Sequence, residues 1–120
     1  MAASRPLSFP AARRLKLSRD FDRVRNEGRT WRGSFMLVGV LPTAEESFRV
    51  GFVTSKRVGG AVVRNRLRRR LREIVRRNQP AIVPGIWFVL VPRASAARAT
   101  SAALEDEWLR LAKRASILRP

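Results

Sequence analysis

The segment from Ala61 to Asn78 constrains the fold more than any other part of the chain. Within it, "GAVVRNRLRRRLRE" (Gly60–Glu73) carries six arginines between Arg64 and Arg72. Turned at about 100° per residue, Val63, Leu67, Leu71, Ile74 and Val75 fall in one arc of roughly 120°. Asn65, Arg68, Arg69, Arg72 and Arg76 fall together on the other side. The spacing predicts a helix that buries one stripe and presents a basic face. Such a face repels itself, because like charges at i,i+4 cost about 0.2–0.5 kcal/mol per pair in an isolated helix. Arg64–Arg68, Arg68–Arg72 and Arg72–Arg76 are three such pairs. A partner outside the fold is needed to offset them, and phosphates fit best, since arginine displaces and releases their counterions.

The buried stripe requires a surface to pack on. "SFMLVGVLP" (Ser34–Pro42) is an apolar run closed by Pro42 and the turn "TAEES". "FRVGFVTSK" (Phe48–Lys56) alternates, and across so short a turn it is predicted to pair antiparallel with the first run. Gly59 and Gly60 permit a sharp bend into the helix. "QPAIVPG" ends that helix, and "IWFVLV" (Ile86–Val91) reads as a buried strand. Ahead of these, "LSRDFDRVRNEG" predicts a helix over 19–26, with Ser18 as N-cap and Gly28 as stop. A last helix is expected from Ser101 to about Ala115, with Leu104, Trp108, Leu111 and Ala115 inward. Its Glu105, Asp106 and Glu107 read as surface acids matching the helix dipole, with Lys113 and Arg114 at the other end. The order is α-β-β-α-β-α without internal repeat, over 120 residues. That predicts an α+β single domain, a small sheet packed by helices.

Net charge is +17, from 26 Lys+Arg against 9 Asp+Glu, which points to a polyanionic partner. The preference for Arg suits bidentate contact with phosphates and guanine edges. A GC-rich genome would explain Arg over Lys but not the excess of positive charge. The chain has no Cys and no His, which removes disulfides, zinc-finger spacings and thiolate or imidazole catalysis. No stretch approaches the roughly 18 apolar residues of a membrane span. "MAASRPLSFPAARRLKLSR" is free of acids and interrupted by two prolines. Residues 1–13 are expected to form a flexible basic arm, with a transit peptide as the alternative.

A helix carrying Arg and Asn could read a DNA major groove, but strands precede it rather than the first helix of a helix-turn-helix. Phe21, Trp31, Phe35, Phe48 and Phe52 would suit stacking on unpaired RNA bases, or equally a core. A membrane-surface helix would need bulkier apolar residues than this stripe has. Asp20 and Asp22 diverge around their helix, and Glu73 sits beside Arg69 and Arg72 as an ion-pair partner. No constellation for catalysis by the polypeptide, and no metal site, emerges.

"KRVGGAVVRNRLRRRLRE" (Lys56–Glu73) resembles the Arg-Asn-Arg motif of the bacterial ribonuclease P protein family. "RLKLSRDFDRV", "GRTWRGSFMLV" and "RVGFVTSKR" resemble that family's start, first strand and the strand leading into the motif, in order from Arg14 to about Val91. The resemblance implies a ribosomal protein S5 domain 2-like fold with a small mixed sheet and a left-handed βαβ crossover, against the usual hand. It implies that Lys56, Arg57, Arg64, Asn65, Arg66, Arg68, Arg69 and Arg72 contact a catalytic RNA. It also implies a cleft between the sheet and the first helix for the single-stranded 5′ leader of precursor tRNA, with Phe21 as a contacting aromatic.

The chain departs from the family pattern at two cleft positions. Arg25 stands for a second aromatic, and Gly39 for a tyrosine in a chain with no Tyr. Arg25 and Phe35 are expected to substitute, beside Arg14 and Leu37. Arg70, next to the apolar stripe, is not assigned to RNA. On this resemblance the chain is the accessory subunit of an endoribonuclease in the bacterial cytoplasm, one protein per RNA. Catalysis and magnesium would belong to the RNA, with no cofactor on the protein. The alternatives are a small ribosomal protein without a part in cleavage and, third, a sequence-specific DNA regulator.

Overall fold

The computed structural model describes residues 13–120. The arm expected over 1–13 therefore lies, but for Arg13, outside the described residues. Seven elements follow in order: α1 (Ser18–Glu27), β1 (Arg29–Arg32), β2 (Met36–Pro42), β3 (Arg49–Phe52), α2 (Ala61–Arg77), β4 (Ile86–Pro92) and α3 (Ser101–Arg114). The architecture is the expected α+β sheet with helices, with one short strand, β1, added before β2. Among the described residues no helix is long and apolar enough to cross a membrane.

The strand order is β1-β2-β4-β3, antiparallel at β1/β2 and β2/β4 and parallel at β3/β4. The predicted hairpin between Ser34–Pro42 and Phe48–Lys56 is not formed, because β4 lies between the two. Burial explains the order: Ile86 to Leu90 are all buried, so both faces of β4 need cover and it takes a central place. The loop from β2 to β3 spans the gap, held by Glu45, which accepts from Trp87 Nε1 at 2.9 Å and Arg49 Nε at 3.0 Å. The second strand is also shorter than expected, since Lys56 belongs to a 3-10 turn, Lys56–Val58.

Alternation in β4 divides the interior in two. Ile86, Phe88 and Leu90 face α2 and α3, joining Met36, Val38, Val50, Leu67, Leu71, Ile74, Val75 and Trp108. The Phe88 ring lies 5.9 Å from that of Phe48 and 6.4 Å from that of Trp108. Trp87 and Val89 face the other way, with Leu15, Val24 and Leu41 in a smaller cluster under α1. The predicted α2 stripe is the buried one, with Val63 only partly covered.

One expected cap differs. Ser18 is the first helical residue of α1, and Leu17 precedes it with no side-chain cap. At α3 the Thr100 hydroxyl accepts from the Ala103 amide at 3.0 Å. Glu107, expected at the surface, is buried: α3 turns it inward onto the β1–β2 turn, where it finds three amide donors.

Candidate nucleic-acid interface

The bend before α2 depends on Gly59, whose φ is +150° and whose Cβ, if present, would meet the Val63 side chain at 3.0 Å. Val58 is buried and anchors this turn, leaving Lys56 and Arg57 exposed beside it. Asn65, Arg66 and Arg69 are exposed along α2.

Arg64, Arg68 and Arg72 are half-buried instead, although the projection put Arg68 and Arg72 opposite the core stripe. Segments beside β3 account for this, because they reach up the flank of α2. Arg68 Nη2 donates to Thr54 Oγ1 at 2.6 Å and Nη1 to Asn65 Oδ1 at 3.2 Å. The Arg72 guanidinium lies 5.9 Å from the centroid of the Phe52 ring. Burial, then the charges of Arg14 and Arg68, push the Arg72 pKa down. An arginine stays protonated under such pressure, so the shift reports a crowded positive potential. The buried Nε atoms of Arg64 and Arg72 have no hydrogen-bond partner.

Acids neutralise only the far end of α2. Glu73 pairs with Arg76 and lies 3.7 Å from Arg77, rather than pairing with Arg69 or Arg72 as expected. Arg77 also reaches Glu105 at 2.6 Å. Arg70 turns away from this face and donates to Ser101 Oγ at 3.0 Å and to the Ala99 carbonyl. Along this segment the uncompensated charge thus runs from Lys56 to Arg72, with Arg70 withdrawn from it.

A separate cleft of about 290 Å³ opens on the α1 side of the sheet, lined by Phe21, Asp22, Val24, Arg25, Thr30, Leu37, Gly39, Val53, Val89 and Val91. Phe21 rests on Gly51, where a Cβ would come within 2.3 Å of its ring. Arg25 is tied to Asp22 at 2.7 Å at the rim.

Of the predicted cleft residues, Phe21, Arg25 and Leu37 are brought together here. Phe35 is not: it lies just before β2, outside the strand alternation, and packs against the main core. Nor does Arg14 line the cleft. Its segment runs alongside β3, Arg14 bridging Val50 and the Leu15 amide donating to the Val50 carbonyl at 2.9 Å. Leu15 enters the cluster under α1, whereas Arg14 is close enough to Arg72 to act on its charge. Thr30 and Val53 were missed. Thr30 sits on the unforeseen β1, while the alternation of "FRVGFVTSK" could have placed Val53.

A family model described as Ribonuclease P matches residues 9–116. The chain belongs to the ribonuclease P protein family. Relatives in that family include the ribonuclease P protein component of Roseiflexus sp., 47% identical over 85 residues, 71% of this chain and 70% of its own. That of Chloroflexus aurantiacus is 41% identical over 110 residues, 89% of this chain and 80% of its own. Among solved family structures, the Thermotoga maritima RNase P protein superposes with a TM-score of 0.78 at 32% identity, covering 84% of this chain and 96% of that one. The Staphylococcus aureus protein gives 0.83 at 24% identity over 89% and 98%, a likeness of fold.

Proposed function

We propose that the chain is the protein subunit of a ribonuclease P that removes 5′ leaders from precursor tRNA, working beside a catalytic RNA. The observation that carries this is the acid-free row of Lys56, Arg57, Arg64, Asn65, Arg66, Arg68, Arg69 and Arg72 in a member of this family. That row binds the RNA backbone, and release of phosphate counterions offsets the crowding of its arginines.

The cleft under α1 takes the unpaired leader. A single strand can splay its bases onto aromatic and apolar walls, and Phe21 against Gly51 offers one such platform. Gly39 puts no side chain on the cleft floor, and Arg25 brings charge to the rim. The described residues hold no group of three ligating side chains close enough to share a metal ion, and in this reading magnesium belongs to the RNA. The protein's part is to raise substrate affinity and lower the magnesium requirement, as one subunit per RNA in the bacterial cytoplasm.

The test is cleavage of a precursor tRNA by a bacterial ribonuclease P RNA at low magnesium, with and without this protein. Restored cleavage at the mature 5′ end is expected. Tight RNA binding without stimulation would favour a structural role, such as that of a small ribosomal protein.

A further inference from the structure

A second group of cations lies at the opposite edge of the sheet. Arg32, at the end of β1, and Arg110, Lys113 and Arg114, on the last turns of α3, line a concavity of about 600 Å³ with Gly33 and Glu107 among its walls. All four cations are exposed, and none is in an ion pair among the described residues. Glu107 is the one carboxylate there, 2% exposed and turned inward onto backbone amides. Four cations against one carboxylate leave the site strongly positive.

The helix dipole accounts for Lys113 and Arg114, at about 0.3–1 kcal/mol each. It does not account for Arg32, which comes from a strand, or for the convergence of all four. Several surface arginines elsewhere take acid partners, as in Arg23–Glu27, Arg25–Asp22 and Arg49–Glu45. Clustered guanidinium groups in a concave site suit phosphate oxygens. Among the described residues the large exposed apolar ones are Leu17, Val53 and Val62, and none borders the concavity. A patch that inserts into membranes needs such neighbours.

We propose that this concavity is a second phosphate-binding site, which takes a backbone segment of RNA separate from the one held along α2. The strand order places it three strand spacings, about 14 Å, from the β3 edge where Arg68 and Arg72 lie. The two sites therefore grip the RNA from two sides of the domain. This rests on the reading of the chain as an RNA-binding subunit, and the experiment separates the two claims.

Affinity for ribonuclease P RNA is measured against salt for the full chain, for Arg110→Gln/Arg114→Gln and for Arg66→Gln/Arg69→Gln. Each lost phosphate contact removes about 0.7–0.9 from the log–log slope, so each double variant should lose roughly 1.4–1.8. The thermal midpoint should fall by no more than a few degrees, the helix-dipole contribution of Arg114, since all four side chains are exposed. A full slope in the α3 variant beside a reduced one in the α2 variant overturns the second site and leaves the α2 reading standing. Full slopes in both overturn both. If the α3 variant instead lost binding to phosphatidylserine vesicles at an unchanged RNA slope, the partner would be a membrane and the proposal would fall.

Discussion

The Glu107 carboxylate fills the space in which Gly33 would carry a side chain: a Cβ at Gly33 would lie 2.4 Å from Glu107 Cδ. From that position it accepts from the amides of Ser34, Phe35 and Met36 at 2.6, 2.7 and 3.0 Å. The β1–β2 turn is thus closed by a helix 73 residues further along the chain from Ser34. Glu107→Ala leaves these amides without an acceptor, at about 1–3 kcal/mol for each buried group. Urea unfolding should show a loss of roughly 3 kcal/mol, and a loss under about 0.5 kcal/mol would mean that water replaces the carboxylate. Gly33→Ala attacks the same contact from the other side. The double variant should therefore lose less than the sum of the single losses.

The α2 stripe was legible because a 3.6-residue period persists over a long segment, and the glycines marked its start. Pairing was not legible in the same way. A short turn argues for a hairpin, yet the unbroken apolar run Ile86–Val91 already argues for a central strand, and burial of both faces of β4 outweighs the turn. β1 left almost no trace, as only Trp31 in "RTWR" is even half-buried. Glu107 looks in sequence like any acid near the start of a helix, and only the tertiary fold shows the amides it faces. The basic face was read correctly as charge but too simply as geometry, since a projection of one helix cannot show that neighbouring segments cover its flank. Phe35 was misplaced because strand alternation does not extend into the turn preceding Met36.

Phe21 is held over Gly51 with no room for a methyl group between them. Gly51→Ala should therefore push the ring and alter the cleft while leaving Lys56–Arg72 untouched. If the cleft takes the leader, Gly51→Ala and Phe21→Ala both weaken binding of precursor tRNA to the holoenzyme more than binding of mature tRNA. Equal losses for the two ligands would show that Phe21 serves packing alone.

Glu45 has a pKa below the usual carboxylate range, chiefly because Trp87 donates to it, and further because of Arg49. Glu73 is lowered in the same direction by Arg76. Between its folded and unfolded values such a carboxylate binds fewer protons in the folded chain. Its stabilising effect is whole above the unfolded value, near pH 4.3, and is lost as pH falls through the folded value. The urea midpoint should accordingly drop below about pH 4. Glu45→Gln removes one titrating group and should make that decline shallower, as followed by tryptophan fluorescence. A decline of unchanged steepness would place the acid sensitivity elsewhere.

Arg68 offers the sharpest test of the α2 interface, because its guanidinium is oriented before any RNA arrives. Two of its five N–H donors are engaged, one with Thr54 and one with Asn65, so three are left for phosphate. Arg68→Ala should reduce the salt slope for RNA binding by about 0.7–0.9, the loss of one phosphate contact. Arg68→Lys keeps the charge and hence the slope, but an ammonium group cannot span Thr54, Asn65 and a phosphate together. It should bind more weakly at every salt concentration with the slope unchanged. If Arg68→Ala kept the full slope, Arg68 would serve only to tie α2 to Thr54, and the phosphate contacts would have to be reassigned to the exposed Arg66 and Arg69.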